Sequence, residues 1–184
     1  MSKFRGFIAI DIDSLPEIAE FENKIKQTGA IVKLVEPKNI HITLKFLGDT
    51  DEELIEEIEE IMKKSVEGIP PFNIQLRSTG VFPNENYIKV VWIGIDNGDQ
   101  IGAIAKDIDE KLSKIGFKTE NREFSAHLTI ARVKSAKNKD QLLQIIEKFR
   151  EFEFAEIKVE SIKLIKSELT QKGPIYSTLK EVKL

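Results

Sequence analysis

The chain contains no cysteine, which excludes disulfides, thiolate metal sites and cysteine nucleophiles. Histidine is almost as scarce. With two in 184 residues, any imidazole chemistry falls to His41 and His127 alone. No apolar run approaches the roughly 18 residues that a membrane-crossing helix needs. The opening residues, Met1-Ser2-Lys3-Phe4-Arg5, run into a strand-like segment without the apolar stretch of a secretory leader. A cytoplasmic protein without membrane association is the expectation. Neither charge sign dominates: 28 Lys and Arg stand against 31 Asp and Glu, for a net charge of −3. That balance argues against a globally basic coat for nucleic acid but not against a local basic cleft. Arginine is sparse, at 5 against 23 lysines. Four of the five (Arg5, Arg77, Arg122 and Arg132) lie near the segments singled out below, and a guanidinium grips phosphate in a two-pronged way that an ammonium cannot.

What is present describes a folded chain, at 41% hydrophobic and 32% charged residues and a length sufficient to bury a core. Phe4–Asp11 reads as a buried strand. Ser14, as N-cap, and Pro16 open a helix to about Thr28 with Ile18, Phe21 and Ile25 on one face, ended by Gly29. A short strand at Ile31–Val35 and a strong one at Ile40–Leu47 follow. An acidic helix from about Asp51 to Lys64 then sets Leu54, Ile58 and Ile61 at helical spacing. The strands Phe72–Phe82 and Tyr87–Ile95 flank the turn residues Pro83-Asn84-Glu85-Asn86. A helix carrying Ile101, Ile104, Ile108, Leu112 and Ile115 comes next. After it the pattern predicts a short strand at Phe117–Glu120, a strand at Glu123–Val133 and a helix from Lys139 to Phe149. Strands at Ala155–Ile165 and Ile175–Val182 finish the chain.

The order of elements repeats. Ile10 leads to His41 over 31 residues and Ile95 to His127 over 32, so the repeat superposes the two histidines. The expected fold is α+β: a single domain over 1–184 made of two pseudo-symmetric lobes, approximately 1–86 and 87–184. Each lobe is a mainly antiparallel sheet with helices on its outer face, and a cleft lies between them.

Both histidines sit in one pattern, His41-Ile42-Thr43-Leu44 and His127-Leu128-Thr129-Ile130. With 8 threonines in the chain, a Thr two places after each His is roughly a 1-in-500 coincidence. Side chains alternate along a strand, so His and Thr face one way while the aliphatic pair anchors the other. If the two faces meet, two imidazoles and two hydroxyls converge. Such a group suits phosphodiester chemistry without a metal. A neutral imidazole takes a proton from water, a protonated one donates to the leaving oxygen, and the hydroxyls stabilise the phosphate. Arg132, three residues past Thr129, and Lys45, two past Thr43 and on the face of His41, are candidate cations for that phosphate. Arg5 and Arg122 are further candidates. The absence of His-x-His, of cysteine and of a paired-carboxylate motif argues against a metal site. Trp92 and Phe82 read as core, and Asp49–Glu60 as a solvated helix face.

These blocks resemble the two-histidine phosphoesterase superfamily, in particular its RNA 2′,3′-cyclic phosphodiesterase branch, also called the 2′-5′ RNA ligase family. The likeness covers essentially the whole chain. It rests on Arg5-Gly6-Phe7-Ile8-Ala9-Ile10, on Pro37-Lys38-Asn39-Ile40-His41-Ile42-Thr43-Leu44-Lys45-Phe46-Leu47-Gly48, and on Arg122-Glu123-Phe124-Ser125-Ala126-His127-Leu128-Thr129-Ile130-Ala131-Arg132. Ala126 departs from the family's usual Pro before the second His. The resemblance implies an RNA or oligonucleotide substrate ending in a 2′,3′-cyclic phosphate, hydrolysed to a 2′-phosphate. It also implies His41 as proton donor and His127 as proton acceptor, a division of roles that spacing does not reveal. Reverse 2′-5′ ligation is possible with the same two groups. No cofactor and no partner beyond the RNA are expected, and the chain is expected to act as a monomer. Two alternatives stand beside the hydrolase: an RNA-end-binding module without turnover, and a physiological RNA ligase. No GxxxxGK[ST] loop is present to support nucleotide-driven ligation.

Overall fold

The computed structural model describes residues 2–184. In chain order the elements are β1 (Lys3–Asp11), α1 (Pro16–Gln27), β2 (Val32–Leu34), β3 (His41–Asp51), α2 (Ile55–Val66), β4 (Phe72–Asn84) and β5 (Tyr87–Asp96). They continue with α3 (Asp99–Ser113), β6 (His127–Val133), α4 (Lys139–Lys148), β7 (Glu153–Val159), β8 (Ser161–Thr170) and β9 (Gly173–Lys183). The α+β class expected from the sequence is the one observed.

The strands form two antiparallel sheets, ordered β3-β1-β8-β9 and β2-β6-β5-β4-β7. Setting β2 aside, the two orders correspond strand for strand, with β3 matching β6 and β1 matching β5. Helices α2 and α3 pack together over the first sheet, and α1 and α4 over the second. The helical apolar stripes drive this arrangement. Ile18, Phe21 and Ile25 of α1, Ile58, Ile61 and Met62 of α2, and Ile101, Ile104, Ile108 and Leu112 of α3 are all buried, in one core continuous with Ile8, Ile10 and Ile42 beneath the sheets. A separate small cluster of Phe7, Ala9 and Ile165 lies on the opposite face of the first sheet, turned toward the cleft.

The lobes are not the halves 1–86 and 87–184. Each sheet draws on both: β4 leaves the first half to join the second sheet, and β8 and β9 return from the second half to complete the first. The region expected as one strand over Ala155–Ile165 breaks at Glu160, where the chain passes from one sheet to the other. β7 pairs with β4, whereas β8 pairs with β1. Period-2 alternation carries no information about which neighbour a strand finds, so this crossing left no signal. Two smaller expectations also fail. Ser14 does not cap α1, whose N-cap is Leu15 with Pro16 in the first turn. Residues 117–126 form no strand, because the carbonyl of Lys118 and the N–H of Glu120 are engaged by side chains rather than by a ladder.

Glu22 of α1 is buried, and burial pushes its carboxyl up to about 7. A carboxyl raised in the folded state binds a proton on folding. Its penalty is therefore absent below its ordinary value of 4.5, grows between 4.5 and about 7, and is fully present above. Glu22→Gln should stabilise the protein by about 1–3 kcal/mol at pH 8 and by little at pH 4.5. Denaturant unfolding of variant and parent at the two pH values measures the difference. An equal effect at both would contradict the assignment.

Candidate active site

His41 begins β3 and His127 begins β6, and the two strands approach each other across the cleft. The imidazoles are held in the same way. His41 Nδ1–H donates to the Asn39 carbonyl at 2.7 Å, and His127 Nδ1–H to the Ser125 carbonyl at 2.9 Å, in each case two residues upstream. A carbonyl can only accept, so Nδ1 carries the proton and Nε2 is the atom left for chemistry. Each ring also rests on a phenylalanine from the same sheet. Phe7 lies 4.8 Å from His41 and Phe82 meets His127 edge-on at 5.0 Å. Thr43 Oγ1 lies 2.9 Å from His41 Nε2. Phe82 and Trp92, expected as core, are instead half-buried on the side of His127, their rings tilted by 35° with centroids 5.3 Å apart. Gly80, opposite Trp92 on the neighbouring strand, leaves room for the indole, since a Cβ there would collide with it.

Both motif strands then break register at the same place. In β3, Thr43 pairs with Ala9 but Lys45 pairs with Ile8, so Leu44 has no partner. In β6, Thr129 pairs with Trp92 but Ala131 with Val91, so Ile130 has none. Each is a β-bulge three residues after the histidine, and it reverses the faces of the residues that follow. Lys45 and Ala131 turn toward the helices; Phe46 and Arg132 turn toward the cleft.

This corrects one expected site residue and explains another. Lys45 does not reach the cleft. It is buried, with its ammonium 2.5 Å from Asp109 of α3 and 2.6 Å from the carbonyl of Lys118. Simple alternation puts it beside His41 and fails because of the bulge. Arg132 would point away from Thr129 by alternation, and the bulge brings it back to the cleft face, where it is exposed. Arg5 shares the open face of β1 but pairs with Asp49, six residues along the strand from Asp11, the partner of His41. At about 3.3 Å per residue that places it roughly 20 Å away, out of reach of a phosphate held by the histidines. Arg122 lies on the exposed loop before β6, facing Phe46 across a pocket. Arg77 is paired with Asp96 at 3.5 Å.

Three cleft residues escaped the sequence reading. Tyr176 of β9 leans across Ile165 to meet His41 edge-on at 5.6 Å and Phe7 at 5.0 Å. Asp11, opposite His41 in the ladder, forms an ion pair with Lys163 at 2.6 Å. Tyr176 and Lys163 belong to the strands that cross from the other half, so no local spacing pointed to them. Burial lowers the pKa of His41. The Asn39 carbonyl and Asp11 oppose that shift, while Arg132 and His127 reinforce it. Burial raises Tyr176, opposed by Arg132. Among the described residues no group of three or more His, Cys, Asp or Glu side chains is placed to hold a metal ion.

A family model described as the 2′-5′ RNA ligase superfamily matches residues 11–171. The chain belongs to that superfamily. An RNA 2′,3′-cyclic phosphodiesterase of Methanocaldococcus jannaschii is 49% identical over 179 residues, covering 96% of this chain and 99% of that protein. Another of the same name from Methanothermobacter thermautotrophicus is 38% identical over 184 residues, covering 99% and 100%. The solved structure of TT0787 of Thermus thermophilus superposes with a TM-score of 0.80 at 26% identity, covering 98% of this chain and 97% of that one. The two-lobed architecture is thus that of the 2′-5′ RNA ligase superfamily, and both histidine motifs lie within the matched region.

Two consequences of the cleft geometry can be measured without any substrate. Asp109→Ala leaves the Lys45 ammonium buried and unpaired, and should cost about 3–5 kcal/mol in chemical unfolding. Replacing both partners with apolar residues should cost far less. Tyr176→Ala admits water to His41 and should raise its pKa toward the ordinary imidazole value, whereas Tyr176→Phe keeps the ring and should leave it lowered. With two histidines in the chain, an NMR titration reads this directly. An unchanged His41 in Tyr176→Ala would mean that other groups exclude the water.

Proposed function

We propose that the chain hydrolyses RNA 2′,3′-cyclic phosphate ends to 2′-phosphates, with His41 as proton donor and His127 as proton acceptor. The observation that carries the reading is the pair of imidazoles, each fixed through Nδ1 to a backbone carbonyl and presenting Nε2, in a chain 49% identical to a protein named for this activity. His127 Nε2 takes a proton from water as its oxygen forms a bond to phosphorus. The bond from phosphorus to the 3′-oxygen breaks, and His41 supplies the proton that this oxygen needs. The products are a 2′-phosphate monoester and a free 3′-hydroxyl. Thr43 and Thr129 donate to the non-bridging oxygens, and Arg132 supplies the charge they lack. A 5′-hydroxyl in place of water attacks the same phosphorus, gives its proton to His127 and expels the same 3′-oxygen, forming a 2′-5′ linkage. One chain contributes both histidines, so a monomer suffices, and no metal is required in this scheme.

The alternative of an end-binding module without turnover has less support, because a binder needs no second imidazole held by Nδ1 in the same way. The test is incubation of an oligonucleotide 2′,3′-cyclic phosphate in EDTA, followed by identification of the phosphate position. His41→Ala and His127→Ala should each lose at least about 10²-fold in rate while remaining folded. Either variant turning over at the parent rate would remove the scheme.

The pH profile carries its own sign. A donor must be protonated, so activity falls as pH rises through its pKa. In the free protein His41 is lowered, placing the alkaline limb of kcat/KM below the ordinary imidazole range. The anionic phosphodiester opposes that shift once bound, so the alkaline limb of kcat should lie at higher pH. Both limbs belong to the coupled pair. A rate that climbs steadily into alkaline pH and disappears in EDTA would instead indicate metal-bound hydroxide.

A further inference from the structure

Asn39 is a buried polar residue whose side chain the reaction scheme leaves unused. Its backbone carbonyl accepts the Nδ1–H of His41, but its side chain reaches elsewhere. Asn39 Nδ2–H donates to the carbonyl of Pro174 at 3.3 Å, across 135 residues of sequence. Pro174 lies near the start of β9, the edge strand of the first sheet. Ser125, which holds His127 in the same way, is exposed, so the two tethers differ in what stands behind them.

The carbonyl that holds the His41 ring belongs to no ladder. Pro37–Asn39 form a single 3₁₀ turn between β2 and β3, closed by the Asn39 N–H on the Glu36 carbonyl at 2.8 Å. A hydrogen bond to an imidazole is directional, so a swing of that carbonyl turns the ring and moves Nε2. The β8–β9 hairpin, by contrast, is fixed on its own account. Thr170 Oγ1 donates to the Gly173 carbonyl at 2.6 Å and accepts the Lys172 N–H at 3.2 Å. Gly173, at a φ of +119°, lies against Lys33 of β2, where a Cβ would stand 3.3 Å from the ammonium. Tyr176, two residues beyond Pro174, packs edge-on against the His41 ring itself.

We propose that Asn39 is a positioning residue for His41, its amide fastening the carbonyl that tethers the imidazole to the β8–β9 hairpin. One hairpin then holds the ring twice, directly through Tyr176 and indirectly through Asn39. An aliphatic side chain could fill the same buried volume, but only a hydrogen-bond donor can grip the Pro174 carbonyl. Asn39 touches no reacting atom in this scheme. Its loss leaves Thr43, Thr129 and Arg132 in place to bind phosphate and lets Nε2 of His41 wander from the departing oxygen. Proton donation depends on that alignment, and binding does not.

The inference rests on the hydrolase reading for its kinetic consequence, and a second measurement is independent of it. Asn39→Leu keeps roughly the volume of the side chain without the donor, and Asn39→Ala removes both. Each should lower kcat on an oligonucleotide 2′,3′-cyclic phosphate about tenfold, with KM within about twofold of the parent. In parallel, long-range 1H–15N correlation spectra of the free protein read the tautomer of each imidazole. Neutral His41 should carry its proton on Nδ1 in the parent, and in both variants a share should move to Nε2 while the His127 signals stay in place. Unchanged His41 signals, an equal response from both histidines, or a loss confined to KM would overturn the assignment. If the alanine variant fails to fold, the leucine variant carries both measurements. If the parent leaves the cyclic phosphate uncut, the hydrolase reading falls, and the His41 tautomer still decides for or against Asn39.

Discussion

A residue skipped by the neighbouring strand, at the same place in each motif strand, governs much of this molecule. Leu44 and Ile130 both lie three positions past a histidine, and both are skipped by the neighbouring strand. Before the skip, alternation delivers an imidazole and a hydroxyl to the cleft. After it, alternation is inverted, so the next cleft-facing side chain is Phe46 in one lobe and Arg132 in the other. An unbroken strand would send both into the helical layer and would leave Lys45 and Ala131 facing the cleft. The cost of an unpaired residue in a strand is modest, and it re-aims the side chains that come directly after it.

The inward turn of Lys45 joins the two motifs physically. Its ammonium links the strand of His41 to Asp109 on α3 and to the loop that leads into His127. A charge this deeply buried is tolerated only with hydrogen bonds on every side, which makes the arrangement geometrically demanding. The interleaved sheets add a second constraint. Because β2, β4, β8 and β9 each join the lobe opposite to the half of the chain they come from, neither half can form its lobe's sheet alone. The cleft between them is therefore lined by residues of both halves, with Tyr176 against His41 as the clearest case.

The two histidines share their tethering but not their surroundings. His41 lies deeper, between Phe7 and Tyr176, with Asp11 near and the cations of the other lobe opposing its charge. His127 rests on Phe82 and is closer to solvent. In the free protein the environment of His41 disfavours the protonated form that a donor needs, so the anionic phosphate of the substrate has to offset it.

The sequence by itself determined the α+β class, the helices and their buried stripes, and the strands carrying His41, Thr43, His127 and Thr129. Those features are local, and periods of 3.6 and 2 write them directly into residue spacing. Spacing also placed the two histidines in equivalent positions, because a repeat is visible without a fold. Only the tertiary structure decided where the ladders skip, and with that the fates of Lys45, Phe46 and Arg132. A bulge depends on how a strand meets its neighbour, and no single strand records it. The tertiary structure likewise decided that the lobes are not the halves, that the chain crosses at Glu160, and that Tyr176 and Lys163 reach the cleft. Pairing partners are chosen by shape and burial over the whole domain, and a short alternating segment fits many of them equally well.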